Sequence, residues 1–168
     1  MATDEAAHVS DLVSGRVSDR IPVRGIALFF LFTFLDEKIA VSAAESATAQ
    51  VKALPPTPGP LVDEMGRRVQ LITILRKTFD QHRKLLARNR PLAMGDLVWT
   101  LPEGIDLRAW SKFQKDSSDG EVIAVVLSKI LGFTDSEIAD GLNISVGTTR
   151  YRIGKGMRQL GQCLKARA

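Results

Sequence analysis

The chain has 168 residues, of which 45% are apolar and 25% charged, with a net charge of +4. This length suits one medium domain or two small ones, and the apolar content is ample for a packed core. The mean hydropathy of +0.01 argues against a membrane protein, and the isoelectric point of about 9.5 suits a polyanionic partner without requiring one.

Residues suited to metal or redox chemistry are few. Cys163 is the only cysteine, so no disulfide can form within the chain and a reducing cytoplasm is the expected location. His8 and His82 lie far apart, without metal-ligand spacing around them. The sequence has no glycine-rich phosphate loop and no Cys–His or Ser–His arrangement. We therefore expect no metal site, no cofactor and no enzymatic activity.

The amino-terminal residues 1–20 are polar, alanine-rich and mixed in charge, which predicts a disordered tail. They do not resemble a signal peptide, because the first apolar block comes too late. That block, Gly25–Leu35, is shorter than the roughly twenty residues that a membrane span needs. We expect a helix that is buried in a core or docked against a partner, without membrane insertion.

A second helical segment, Asp36–Leu54, is rich in alanine and carries a narrow apolar stripe at Ile39, Ala43 or Ala44, Ala47 and Val51. The stripe predicts a helix that packs on the core. Residues 55–60 then contain four prolines, which predict a stiff, extended internal loop.

A long amphipathic helix is predicted from Val62, because apolar residues recur every three or four positions as far as Phe79. Between Gly66 and Arg90 there are eight basic residues and one acid. Such a run is most often a solvated face, but its density also suits phosphate contacts. The candidate secondary nucleic-acid contacts are Arg76, Lys77, Arg83 and Lys84.

Residues 91–106 form a second break in the helical pattern and predict a linker. Trp99 and Trp110 are expected to anchor this linker or a small core. Short helices are predicted at residues 107–113 and 122–131.

The run FTDSEIADGLNISVGTTRYRIGKGMRQL, residues 133–160, predicts two helices joined by a very tight turn. Thr134 and Glu137 have the spacing of a capping box. Asn143 can adopt the left-handed conformation that ends the first helix, and Ser145 can cap the second. The pattern is therefore typical of a helix-turn-helix.

The second of these helices is predicted to be basic. From Asn143 to the carboxyl terminus there are six Lys or Arg and no Asp or Glu. Many helix pairs bind nothing, and basic residues can simply complement a helix dipole. The small Ala139 at the helix crossing, the Ser cap and the charge asymmetry favour entry into a DNA major groove. The predicted DNA-binding residues are Ser145, Thr148, Arg150, Tyr151, Arg152, Lys155 and Arg158.

The run EIADGLNISVGTTRYRIGKGMRQL resembles region four, the promoter-reading helix-turn-helix of bacterial sigma factors, especially the extracytoplasmic-function group. The usual run of that family is close to EIAEILGISVGTVKSRLSRARRRL. The matching positions are Glu137, Ile138, Ala139, Leu142, Ile144, Ser145, Val146, Gly147, Thr148, Arg152 and Leu160. Residues 121–132 also resemble the preceding helix of that domain. Quorum-sensing-type regulators and response-regulator output domains share much of this pattern.

The amino-terminal segments are placed like region two of the same family. The family's polymerase-binding helix reads like DAEDAVQEAFLRAW, and of its acids only Glu45 has a counterpart here. The run LITILRKTFDQHRKLLARNR is similar in cadence to the family's promoter-melting helix. That helix uses aromatic side chains to stack flipped bases, whereas this segment has only Phe79.

The resemblance implies an all-α protein of two small helical lobes. The expected order is a disordered tail (1–20), a region-two-like lobe (21–90), a linker (91–106) and a helix-turn-helix domain (107–168). It implies a sigma-like transcription initiation protein that binds promoter DNA and core RNA polymerase. Two alternatives remain open. One is a sigma-like DNA-binding regulator without melting activity. The other is a sigma mimic that binds an anti-sigma factor through a groove lined by Phe29, Phe30, Phe32 and Phe34.

Overall fold

The computed structural model describes residues 23–55, 62–86 and 106–166, and within these ranges it contains helices and no strand. The all-α fold class is therefore confirmed. A π-helix, Val126–Ile130, continues directly from the fifth α-helix. The α-helices are α1 (Val23–Phe34), α2 (Glu37–Lys52), α3 (Val62–Leu86), α4 (Leu107–Asp116), α5 (Asp119–Val125), α6 (Asp135–Leu142) and α7 (Val146–Lys165).

Helix α1 lies at the centre of the fold. Every side chain from Ile26 to Phe34 is at most 9% exposed. Thr33, the polar residue within this run, donates its hydroxyl hydrogen to the carbonyl oxygen of Phe29 at 2.8 Å. Because α1 is apolar on all sides, it can be stable only where other helices cover it all round. The prediction of a helix buried in the core is confirmed.

The prediction of a groove lined by phenylalanines is wrong. Phe29, Phe30 and Phe32 are 0% exposed and Phe34 is 4% exposed, so none of these rings is available to a partner. Phe34 instead stacks on Phe79 of α3, with 5.0 Å between the ring centroids. The rings fill the core because a cluster of large aromatic side chains gains most from complete removal from water.

Helix α2 packs on α1 as the alanine-rich stripe predicts. Asp36 caps it by accepting a hydrogen bond from the backbone nitrogen of Ile39 at 3.0 Å. The stripe of small residues lets the two helix backbones approach closely; its buried members are Ile39, Ala43, Ala44 and Ala47.

Helix α3 follows its predicted apolar stripe only in part. Ile72, Leu75 and Phe79 are at most 3% exposed, whereas Met65 is 60% exposed. Val69 is half-buried, and among the side chains that the structure describes the buried stripe begins at Leu71, well inside the helix.

Helix α4 forms hydrogen bonds directly to the backbone of α1. Trp110 of α4 donates its indole hydrogen to the carbonyl oxygen of Phe32 at 2.8 Å, and the two rings meet edge to face. The Gln114 side chain donates to the carbonyl oxygen of Thr33. Buried residues from α1 to α7 form one apolar cluster. The division into lobes 21–90 and 107–168 stays a prediction.

The helix predicted at residues 122–131 begins earlier in the structure and is irregular at its end. It begins at Asp119, where Ser118 and Glu121 form a capping box. It then widens at Val126, whose carbonyl oxygen accepts a hydrogen bond from the nitrogen of Leu131 at 3.0 Å. This i to i+5 bond defines a π-turn, which apolar spacing does not reveal.

Several sequence predictions lie outside the described residues: the tail 1–20, nearly all of the proline-rich loop, Trp99, and the linker except Asp106. None of the helices in the described part of the chain combines the length and the hydropathy of a membrane span.

Replacing Phe32 by Ala tests whether both halves of the chain depend on one core. We expect a loss of about 3–5 kcal/mol in the free energy of unfolding, because a fully buried ring is removed and its cavity cannot close completely. Urea unfolding followed by circular dichroism measures this loss. Val23→Ala, at a side chain that is 61% exposed, is the control and should change stability by about 0.5 kcal/mol or less. A loss confined to one of two separate transitions would contradict the shared core.

Candidate nucleic-acid interface

The turn between α6 and α7 has the geometry that the sequence predicts. Thr134 and Glu137 form a capping box, in which the Glu137 carboxylate accepts from the Thr134 nitrogen at 2.8 Å. Asn143 has φ 53° and ψ 51°, the left-handed conformation. The nitrogen of Ile144 then donates to the carbonyl oxygen of Ala139 at 2.9 Å, which closes the end of α6. These local hydrogen bonds define the turn from which α7 starts.

The start of α7 is fixed by its cap. The Ser145 hydroxyl oxygen accepts from the nitrogen of Thr148 at 3.0 Å and lies 2.9 Å from the Thr148 hydroxyl. Both residues are predicted DNA contacts, and their side chains bond to each other here. Their hydroxyl groups still have the capacity for a further hydrogen bond to a phosphate or base edge.

One face of α7 is packed against α4 and α5. Thr149 is fully buried, and Ile153 and Cys163 are at most 9% exposed. Gly156 sits at the crossing with α5, where an added Cβ would lie 2.6 Å from a methyl carbon of Val125. Gly156 is not among the predicted site residues, although a glycine inside a helical pattern is a recognised sign of close packing.

The opposite face of α7 is open to solvent and basic. The Arg150 side chain is 71% exposed and the Tyr151 residue is 61% exposed, and Arg158 is exposed as well. Arg150 forms an ion pair with Asp135 at the start of α6, with 3.0 Å between Nε and Oδ2. The structure thus groups three of the predicted DNA contacts on one accessible surface.

Lys155 and Arg152 have contacts within the protein. The Lys155 ammonium lies 2.7 Å from the carboxylate of Glu121, whose side chain is 6% exposed. The Arg152 guanidinium lies against Gly120, 3.1 Å from where a Cβ of that residue would be. Both side chains therefore cover the start of α5. Their contact with DNA stays a prediction.

The electrostatics of Glu121 follow from this pairing. Burial acts to raise the pKa of the Glu121 carboxyl, but hydrogen bonds from Lys155 and Ser118 and the charge of Lys155 outweigh it. The pKa therefore lies below its ordinary value of 4.5. The same hydrogen bond and the Glu121 charge raise the pKa of Lys155. The pair is ionised at neutral pH.

Glu137 repeats this arrangement in the next helix. Burial acts to raise the pKa of its carboxyl, and hydrogen bonds from Arg68 and Thr134 together with the Arg68 charge lower it by more. Each capping-box acid thus has a basic partner from a distant helix, Arg68 from α3 and Lys155 from α7. These two ion pairs hold the starts of α5 and α6 in place.

The candidate secondary contacts on α3 divide into two kinds. Arg76 pairs with Asp80 one turn along the helix at 2.9 Å, and Arg83 pairs with Asp119 at the start of α5. Lys77 and Lys84 are exposed. Their contact with nucleic acid stays a prediction. Within the described ranges, no three His, Cys, Asp or Glu side chains are placed to hold a metal ion.

Comparison with known proteins supports the architecture. A scan against protein-family models finds no match, and a search of curated proteins finds none. Among solved structures, the chain is similar to the sigma factor RpoE from Bartonella quintana, determined in complex with the anti-sigma factor NepR. The TM-score is 0.61 at 18% identity, and the match covers 95% of this chain and 97% of that one. The protein therefore has a sigma-factor-like fold.

The lowered pKa values of Glu121 and Glu137 predict how the stability of the protein depends on pH. Because their folded-state pKa values are lowered, their contribution is fully present above the unfolded value of about 4.5 and is lost as the pH falls below it. Urea unfolding from neutral to acidic pH measures this loss. The double variant Glu121→Gln, Glu137→Gln should be less stable at neutral pH and should lose less stability on acidification. Glu45→Gln, at an exposed acid of α2, is the control. An unchanged pH dependence in the double variant would contradict this account.

Proposed function

We propose that the protein is a sigma-like transcription protein that binds the upstream element of a promoter through α7 and contacts core RNA polymerase. The observation that carries the proposal is the exposed basic face of α7, oriented by the Asn143 turn in a helix without an acidic residue. A second helix held in this way is the element that enters the major groove in helix-turn-helix proteins.

Arg150 is the best-placed side chain to contact a base. Its pairing with Asp135 is exposed, and such pairs contribute only about 0–1 kcal/mol. A bidentate contact with guanine provides roughly 1–3 kcal/mol of discrimination against other bases, and little stability is lost if Arg150 leaves Asp135 to make it. Arg158 lies two turns further on, about 12 Å along the helix axis, and suits the phosphate backbone.

Lys155 is less suited to this exchange. If its ammonium moved to a phosphate, the buried carboxylate of Glu121 would lose its basic partner. An unpaired buried charge is strongly unfavourable, so Lys155 is expected to remain on Glu121 when DNA binds. Ser145 and Thr148 lie at the positive end of the helix dipole, which favours a phosphate.

The regulator without melting activity is the second candidate. Phe79 is the only aromatic residue between Asp36 and Val98, and it is 3% exposed. Strand separation by a sigma factor requires exposed rings that stack on flipped bases. Within this segment no such ring is available, which favours DNA binding without melting.

A protein-interaction role is the third candidate. The similar sigma factor was solved with an anti-sigma factor, so an anti-sigma-type protein is a candidate partner for this chain. The buried phenylalanines of α1 are not its docking site. A partner that bound the exposed face of α7 would compete with DNA.

Three experiments on the purified protein separate these candidates. Selection from a random duplex library identifies a preferred DNA site, and co-elution with core RNA polymerase tests the polymerase contact. Transcription in vitro from the selected site then tests melting. If the protein binds a specific DNA site, co-elutes with the polymerase and supports transcription, the sigma-like role is supported. If it binds DNA and co-elutes but does not support transcription, the regulator is supported. Absence of sequence-specific DNA binding would exclude both.

Arg150→Ala tests the base contact against Lys165→Ala, which removes the same charge at the last turn of α7. We expect Arg150→Ala to weaken binding to the selected site by roughly tenfold to a hundredfold, because a bidentate base contact is lost. Lys165→Ala should weaken specific and non-specific binding equally and by less. Fluorescence anisotropy at a fixed salt concentration measures both. Equal losses in the two variants would argue against the assigned groove geometry.

A further inference from the structure

Tyr151 carries an aromatic ring on the open face of α7. The residue is 61% exposed, whereas every Phe and Trp that the structure describes is at most 7% exposed. The ring is therefore not part of the core, and it shares its face of the helix with Arg150 and Arg158. In the sigma-factor run EIAEILGISVGTVKSRLSRARRRL the corresponding residue is serine. The exposed ring is therefore a feature of this chain.

Two glycines border Tyr151 along α7, Gly147 one turn before it and Gly154 one turn after it. A Cβ built at Gly147 would lie 3.7 Å from the Ser145 hydroxyl oxygen, and one built at Gly154 would lie 3.7 Å from Nη1 of Arg158. Both are ordinary van der Waals distances, so packing within the described part of the protein requires glycine at neither position. Glycine inside a helix nevertheless lowers its stability relative to alanine. The two glycines leave the backbone beside the ring uncovered.

The open face of α7 has two edges, with the glycines between them. Successive residues of an α-helix are about 100° apart around its axis, so Tyr151 and Arg158 fall on nearly the same line along α7. Arg150 falls on a second line about 100° away, and Gly147 and Gly154 lie between the two lines. The edge of a base pair that approaches this bare backbone meets a cation on one side and an aromatic ring on the other.

The chemistry of the ring selects the group that it can recognise. The apolar group that a base presents in the major groove is the C5 methyl of thymine, and the groups that distinguish the other bases are hydrogen-bond donors and acceptors. Ring carbons placed against a donor or acceptor would remove it from water without replacing its hydrogen bond, which is unfavourable. A thymine methyl therefore gains most from contact with the Tyr151 ring.

We propose that Tyr151 recognises a thymine methyl group in the major groove, beside the guanine that Arg150 contacts. The ring packs on the methyl, and the bare backbone at Gly147 and Gly154 lets the base edge come close enough for this contact. The inference rests on the proposed function and adds a second base that α7 selects. A DNA site selected by the protein should therefore contain thymine next to the guanine bound by Arg150.

Deoxyuridine tests this contact directly, because it differs from thymidine only in lacking the C5 methyl group. Each thymine of the selected duplex is replaced in turn, and binding is measured by fluorescence anisotropy at a fixed salt concentration. One replacement should weaken binding of the unmodified protein roughly three- to tenfold, because one methyl group is no longer buried. The same replacement should leave the affinity of Tyr151→Ala unchanged, since the ring that contacts the methyl is absent.

Two further variants complete this test. Tyr151→Phe keeps the ring and should keep the dependence on the methyl group. Leu164→Ala removes another exposed apolar side chain of α7 and is the matched control, which should keep it as well. Methyl dependence that persists in Tyr151→Ala, that disappears in Tyr151→Phe or that is absent from the unmodified protein would overturn the proposal. Absence of sequence-specific binding would overturn the proposed function as well.

Gly154→Ala tests the bare backbone beside the ring. The added methyl group meets no close neighbour and favours the helix, so the free energy of unfolding should not fall. Affinity for the selected site should nevertheless fall several-fold, because the methyl occupies space that the base edge needs. Gly161→Ala, which adds a methyl group in open space two turns further along α7, is the control and should leave affinity unchanged. Equal affinity in both variants would overturn the role given to Gly154.

Discussion

The burial of α1 is the constraint on which the rest of the structure depends. A helix that is apolar around its whole circumference needs neighbours on every side, and the chain supplies them from both of its halves. Phe34 meets Phe79 of α3, while Phe32 meets Trp110 of α4. The segments that resemble region two and region four therefore share a core. Hydrophobic burial therefore determines how these two segments sit against each other.

A second layer of organisation is electrostatic. The capping-box acids of α5 and α6 are buried and would destabilise the fold if they were left without a cation. Lys155 and Arg68 supply the positive charges, and each comes from a helix that is distant in sequence. This use of Lys155 divides the basic residues of α7 into a structural group, which faces α5, and an exposed group. Arg150 and Arg158 remain at the surface, where their charge can act on a polyanion.

Local sequence rules predicted the helix-turn-helix well. The capping box at Thr134, the left-handed Asn143 and the Ser145 cap each depend on a few neighbouring residues, and the structure has all three. Features that depend on distant residues were not predictable. The sequence does not show that Lys155 meets Glu121, that Arg152 lies against Gly120, or that Gly141 meets Ile72. The phenylalanines of α1 were open to two interpretations, a core or a groove, because apolarity alone does not say what covers a helix.

The π-turn at Val126–Ile130 also determines how α5 leads into the helix-turn-helix. A π-turn accommodates one more residue than an α-helical turn, and each residue of an α-helix rotates the chain by about 100°. Without this extra residue, the chain would direct Gly132 and Phe133 to a different side of the helix axis. Arg68 would then face neither the carbonyl oxygen of Gly132 nor the ring of Phe133. A single-residue insertion or deletion at this position is therefore a compact way for such a fold to change how its two halves meet.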